Sequence, residues 1–190
     1  MPTDKTFLPQ RGNYRSLMVY QKAECIYDIT YFFANKFFDK SDRTIDQMIQ
    51  AARSGKQNIA EGSAASTTSR ETEIKLMNVA KASLQELLID YEDYLRVREL
   101  EQWSQTDPRN IQTREVASKH NNSAFYRKAI QTRSDETIAN IAITLIHQTD
   151  TMLLRLIETL KQQFVVQGGI REEMKRARQN YRKTHHNENL

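Results

Sequence analysis

The sequence predicts an all-α fold: an up-down four-helix bundle with a long basic connection between its third and fourth helices and a short C-terminal helix. Three observations carry that prediction. The 190 residues include only five Gly and three Pro, where average usage would supply about 23 of the two together. Apolar residues recur at steps of three and four along four long segments, the spacing of a helix face rather than the alternation of a strand. No glycine-rich phosphate loop of either common type is present. A β fold of many short strands and a nucleotide-binding α/β enzyme are thereby excluded. With 38% hydrophobic and 27% charged residues and a mean hydropathy of −0.73, the chain suits one modest core in water.

Residues 1–16 hold Pro2, Pro9 and Gly12 with no apolar period, and read as a flexible lead-in. The first helix is expected from about Leu17 to Phe38, where Tyr20, Ala23, Tyr27, Thr30, Ala34 and Phe37 form a stripe widened by Ile26, Ile29 and Phe33. It stops in the charged stretch from Asp39 to Arg43. A second helix starts near Asp42, which can cap it. Ile45, Met48, Ile49, Ala52 and Ile59 share its apolar face, while Gln47, Gln50, Ser54, Gln57 and Glu61 face away. Gly62 is placed to close it as a C-terminal cap. Gly55 falls inside it, at a cost of about 1 kcal/mol relative to Ala, so another backbone packs closely there or the helix bends. The third helix opens with the capping box Thr68-Ser-Arg-Glu71 and runs to about Leu100, a rod of roughly 45 Å.

Residues 101–133 are different. They carry six Lys or Arg against three acids and few apolar anchors. Asp107-Pro108, a cap followed by proline at the first helical position, starts one of one or two short helices within this crossover. The fourth helix begins at Ser134 or Asp135, with Asp135 and Glu136 suited to its dipole. Its broad apolar face runs through Ile138, Leu145, Leu153, Ile157 and Phe164 to Gly168-Gly169. The bundle therefore occupies residues 17–169, and residues 170–190 form a basic helix and tail.

The single cysteine, Cys25, lies in an apolar run and reads as core. With one Cys, no intramolecular disulfide can form and no CxxC is present for a zinc site. A polar N-terminus and the lack of any 18-residue apolar window point to a cytoplasmic protein without membrane spans. A bundle of this kind invites a di-iron test, which needs acids three residues before histidines. His120, His147, His185 and His186 are preceded at that spacing by Ala117, Thr144, Arg182 and Lys183, so no metal or cofactor is expected. His147 reads as an interior histidine, and the acids Glu86, Asp90, Glu92 and Asp93 as a solvated helix face. No catalytic constellation emerges, and the chain is expected not to be an enzyme.

Resolved by segment, the net charge of +4 becomes +3 for residues 1–60, −3 for 61–100, +3 for 101–133, −2 for 134–169 and +3 for 170–190. Arg171, Lys175, Arg178 and Arg182 recur at steps of three and four, a one-sided stripe able to neutralise phosphates, with Tyr181 beside it to stack on a base. The same cations also suit a solvated terminal helix. Arg127 and Lys128, next to Phe125 and Tyr126, make a second basic-aromatic cluster. Arg53 and Lys56, a turn apart on the second helix, are further candidates, although long cationic stems often simply cover the edge of an apolar face.

One stretch is not generic. Residues 47–63, with Gln47, Ala51, Ala52, Ser54, Asn58, Ile59, Ala60, Glu61 and Gly62, are followed by Leu76, Ala80, Ser83, Leu84 and Glu86. This pattern resembles the signature of the bacterial four-helix bundle proteins named for open reading frames in intervening sequences of large-subunit ribosomal RNA. The resemblance spans about residues 17–100, and the remainder looks like a subgroup with a C-terminal suffix. Gly55-Lys56 departs from the Ile-Pro pair usual in that family. The resemblance implies an up-down bundle assembling into a homopentamer. It extends to the accessory variability proteins of diversity-generating retroelements, which implies nucleic acid and a reverse-transcriptase-like partner. Gln47, Ser54, Asn58, Glu61, Gly62, Ser83 and Glu86 would then be bundle and oligomer determinants. The expected function is non-enzymatic binding of RNA or DNA, or of a nucleic-acid-processing partner, through basic surfaces. The alternative is a structural or protein-interaction module with no nucleic-acid ligand.

Overall fold

The computed structural model describes residues 13–186, so the start of the lead-in and the last four residues of the tail lie outside the described residues. A 3-10 turn, Tyr14–Ser16, precedes seven helices: α1 (Met18–Phe37), α2 (Thr44–Ala65), α3 (Arg70–Val97), α4 (Pro108–Lys119), α5 (Ser123–Ile130), α6 (Asp135–Gln167) and α7 (Ile170–His186). No strand occurs among the described residues. The fold is all-α.

Helix boundaries follow from local chemistry. Asp42 accepts from the Thr44 N–H at 2.8 Å and starts α2. Asp107 does the same for Arg109 at 2.8 Å, with Pro108 opening α4, and Ser134 caps α6 through the Thr137 N–H. The cap of α3 lies one residue later than the expected box. Ser69 accepts from the Thr72 N–H at 3.1 Å, while the Thr68 hydroxyl donates back to the Ala65 carbonyl. At the other end of α3, Glu99 adopts φ +56°. The Leu100 N–H then reaches the Leu95 carbonyl and the Glu99 N–H that of Arg96, a Schellman closure with Glu where Gly is usual.

Gly62 does not cap α2. The helix continues to Ala65, and Gly62 is buried inside it. A Cβ there would meet Met77 Cε at 3.1 Å, Leu76 Cβ at 3.3 Å and the Glu73 carbonyl oxygen at 3.4 Å, so its role is close approach to α3. Gly55 serves the same contact, since a Cβ at that position would lie 2.8 Å from Leu84 Cδ2.

The long helices pack as a closed square: α1 against α2 and α6, α3 against α2 and α6. Gly55 faces Leu84 and Gly62 faces Met77, so α2 and α3 run antiparallel. Arg70 meets Gln163, Gln85 meets Asp150 and Tyr94 meets Asp135, so α3 and α6 are antiparallel as well. Ile26, Ile29, Met48, Ile59, Leu84, Leu87 and Ile138 are fully buried between them. Phe33 lies at the centre of an aromatic cluster, with ring centroids 5.0 Å from Tyr91 and 4.7 Å from Tyr94, geometries that add about 0.5–1.5 kcal/mol each beyond area burial. The buried Tyr91 hydroxyl donates to Thr30 Oγ1 at 3.0 Å. Cys25 is fully buried, as expected.

The crossover is a fitted lid. Every residue of α6 from Ile138 to Ile146 is buried, because α4 and the preceding loop cover the face that the other long helices leave open. Asn140 anchors the loop: its carbonyl oxygen accepts from the Trp103 N–H at 2.8 Å and its amide donates to the Glu101 carbonyl at 2.8 Å. On the other side, Lys22 of α1 is only 2% exposed, and its ammonium donates to the Ala117 and His120 carbonyls at the C-terminal end of α4. A cation there also suits the negative end of the helix dipole. His147, expected inside, is exposed: the buried face of α6 passes through Ile146, Thr149 and Leu153 and leaves position 147 outside.

Candidate nucleic-acid interface

Two surfaces combine exposed cations with aromatic rings. The first is α7. Gly168, at φ +76°, ends α6 and turns the chain. The Gly169 N–H then donates to the Glu172 carboxylate at 2.9 Å, starting the next helix. Along α7, Lys175, Arg178 and Arg182 are exposed and lie beside a line of Met174, Ala177 and Tyr181. The side chain of Arg171 lies outside the described residues. Among the described residues, α7 packs no more than marginally against the long helices.

The second surface is an open groove of about 710 Å³ between α1 and α5, lined by Tyr27, Asp28, Tyr31, Phe32, Asn35, Lys36, Arg127, Ile130 and Gln131. Helical spacing puts Tyr27 and Tyr31 one turn apart, and their ring centroids are 6.3 Å from each other. Tyr31 is 54% exposed. Cations surround these rings. The Lys56 ammonium sits 4.1 Å from the Tyr27 centroid, and that of Lys36 sits 5.0 Å from Phe32 and 5.1 Å from Phe37. Arg127 pairs with Asp28 at 3.1 Å while its side chain stays 59% exposed. Arg53 is exposed one turn before Lys56.

The candidates from sequence thus distribute unevenly. Arg127 lines the α1 groove, and Lys56 does not line it but lies over the ring of Tyr27, which does. Lys128 is exposed on α5. The aromatic partners expected beside them divide: Phe125 stacks on His120 with centroids 4.1 Å apart, while Tyr126 is buried and donates to the His120 carbonyl at 3.2 Å. Burial pushes the Tyr126 phenol well above its ordinary range, so Tyr126 is a core residue and not a stacking platform. Sequence reasoning placed Tyr27 in the core stripe and passed over Tyr31 and Lys36. The signal available was a Tyr-x-x-x-Tyr step displaced from the main apolar stripe with Lys36 a turn further on.

The residues of the α2–α3 signature also separate. Ser83 donates to the Val79 carbonyl at 3.0 Å, which leaves Ser54 to donate to Ser83 Oγ at 2.9 Å. Asn58 donates to Ser54 Oγ at 3.2 Å. Ser54 therefore faces α3 across a hydrogen-bonded seam and not outward as its spacing implied. Gln47 and Glu86 line a shallow groove at one end of that seam with Ser54. Glu61 is exposed and Gly62 buried.

Of the acids read as a solvated face, Asp90 is partly withdrawn. Burial, with Glu86 and Asp93 nearby, pushes its carboxyl up to about 6. No group of three or more His, Cys, Asp or Glu among the described residues could hold a metal ion. Likewise, no described helix is long and apolar enough to cross a membrane. No family model, curated protein or solved structure matches this chain. Fold and surfaces together define a helical bundle bearing two cationic-aromatic faces.

Proposed function

We propose that the protein is a non-catalytic, oligomeric, cytoplasmic up-down bundle that binds nucleic acid through these two faces. The observation that carries the reading is the interleaving of cations with aromatic rings in two places: the exposed Lys175, Arg178 and Arg182 beside Tyr181, and the exposed Lys36 and Arg127 with the half-buried Lys56 around Tyr27, Tyr31 and Phe32. Cations neutralise phosphates and release counterions, and rings stack on bases. The two antiparallel helix pairs support the up-down reading. The resemblance of the α2–α3 signature supports a homo-oligomer, a pentamer in that family, with a reverse-transcriptase-like partner as one route to nucleic acid.

The test is fluorescence anisotropy of labelled RNA and DNA against salt. Affinity is expected to fall linearly on a log–log plot, and the triple variant Lys175→Gln, Arg178→Gln, Arg182→Gln to weaken binding and flatten the slope. Absence of binding at low salt, or binding indifferent to salt, would overturn the reading. A protein-interaction module is favoured by a separate observation: Phe164, Val165 and Val166 at the end of α6 are exposed, the two valines about fourfifths so, at 82% and 79%. Under that reading, polar substitutions at Val165 and Val166 disrupt a protein complex while the cation variants leave it intact.

A further inference from the structure

We propose that the groove between α1 and α5 is selective for single-stranded nucleic acid, with Tyr31 as the stacking platform for an unpaired base. The proposal rests on the nucleic-acid reading above and adds the class of strand recognised.

Tyr31 is 54% exposed, yet it is no isolated surface ring. Tyr27 and Phe32 extend an aromatic surface from it, and α5 supplies the opposite wall of an open groove of about 710 Å³. That volume is in the range that encloses drug-sized ligands, but the groove is open along α1, which suits a chain passing through more than a small molecule held within.

The charges are placed for a polyanion. Lys36 lines the groove beside Phe32, where it donates to the Gln131 carbonyl, Arg127 lines it on the α5 side, and Lys56, from α2, lies over the Tyr27 ring. The one acid lining the groove, Asp28, already holds Arg127 at 3.1 Å. Cations at both ends of a ring surface match the alternation of phosphate and base along a single strand, where every base has a free π-face. In a duplex those faces are hidden in the stack and only base edges are presented. An aromatic platform therefore favours the unpaired form, whereas the exposed stripe of α7 contacts phosphates of either.

The experiment compares oligothymidylate and oligouridylate with a blunt DNA duplex of the same length, at one low salt concentration, using the full chain and its Tyr31→Ala, Tyr31→Leu and Tyr31→Phe variants. Tyr31 is exposed, so these variants are expected to fold, and unchanged circular dichroism checks it. The wild type is expected to prefer one or both single strands over the duplex. Tyr31→Ala and Tyr31→Leu should lower single-strand affinity by about tenfold, the loss of one stacked base, with duplex affinity unchanged, while Tyr31→Phe retains binding. The two single strands report whether DNA or RNA is the better ligand. Equal or tighter duplex binding, or Tyr31→Ala or Tyr31→Leu binding a single strand as tightly as wild type, overturns this proposal and leaves the general nucleic-acid reading standing. Failure of the wild type to bind any of the three at low salt overturns both.

Discussion

Lys22 shows how one buried charge can join two parts of a helical chain. Its ammonium ends among the carbonyls of Ala117 and His120, with no carboxylate among its hydrogen-bond partners, and burial pushes its pKa down. The cost of burying a charge is offset there by two charge-assisted hydrogen bonds and the negative end of α4. Lys22→Met keeps the apolar stem and takes its donor from the Ala117 carbonyl, while the His120 carbonyl keeps only the Tyr126 hydroxyl. The expected loss is about 1–3 kcal/mol in denaturant unfolding, with faster amide exchange concentrated in α4; exchange unchanged in α4 would refute the docking role. Asp90 is the opposite case, a carboxyl held out of its ordinary range. Its folded pKa of about 6 lies above the unfolded value of 3.8, so its contribution to stability is fully present below pH 3.8 and is lost as the pH rises through 6. Asp90→Asn removes that loss. The variant is expected to be more stable than wild type at neutral pH, by about 1 kcal/mol once solvent screening of a partly exposed group is allowed for. The gain should vanish in acid, and unfolding curves at the two pH values check the sign.

Among elements, the α2–α3 contact makes the most specific demand on sequence. Gly55 lets the two backbones approach until a Cβ would overlap Leu84 at both Cδ2 and Cγ, 2.8 and 2.9 Å away. Gly55→Ala would gain about 1 kcal/mol of helix propensity but must displace a fully buried leucine in a packed seam, a cost of typically 1–3 kcal/mol. A net loss of about 1 kcal/mol is expected, and in a Leu84→Val background the same substitution should become neutral or stabilising. Thermal unfolding of the four-member mutant cycle measures that coupling. This contact also shows how much was legible beforehand. A glycine in a helical run announced a close approach, and the helix spacing, Asp107-Pro108 and Gly168-Gly169 located most boundaries. Gly62 was misread because glycine serves caps and close contacts equally, and only the partner helix distinguishes them. Tyr27 and Tyr31 were obscured for a similar reason: an aromatic ring counts as apolar in a periodicity whether it lines the core or an open groove. That groove exists only because α5, about a hundred residues away in the chain, lies against α1 through Arg127 and Asp28. Nothing in the sequence marks Lys22 as buried, because the carbonyls that hold it lie 95 and 98 residues further along the chain.

At the scale of the whole molecule, the charge is divided between a bundle and an appendage. Residues 170–190 hold +3 of the chain's +4, yet among the described residues α7 shares no more than marginal packing with the helices that form the core. Stability and electrostatic attraction should therefore be separable. Among the described residues, truncation after Gln167 removes none of the buried core, so the thermal midpoint is expected to stay close to that of the full chain. On the proposed function, nucleic-acid binding should weaken and become less sensitive to salt. The loss of Lys175, Arg178 and Arg182 is expected to reduce the log–log salt slope by up to about 2 if each meets one phosphate of a single strand. The preference for single strands is expected to survive, because Tyr31 and its groove remain. Matched melting curves and salt titrations of the two forms test this division. A large drop in melting temperature would mean that α7 is part of the folded unit. An unchanged salt slope would mean that the phosphates are met elsewhere, and would shift the electrostatic role to Lys36, Lys56 and Arg127.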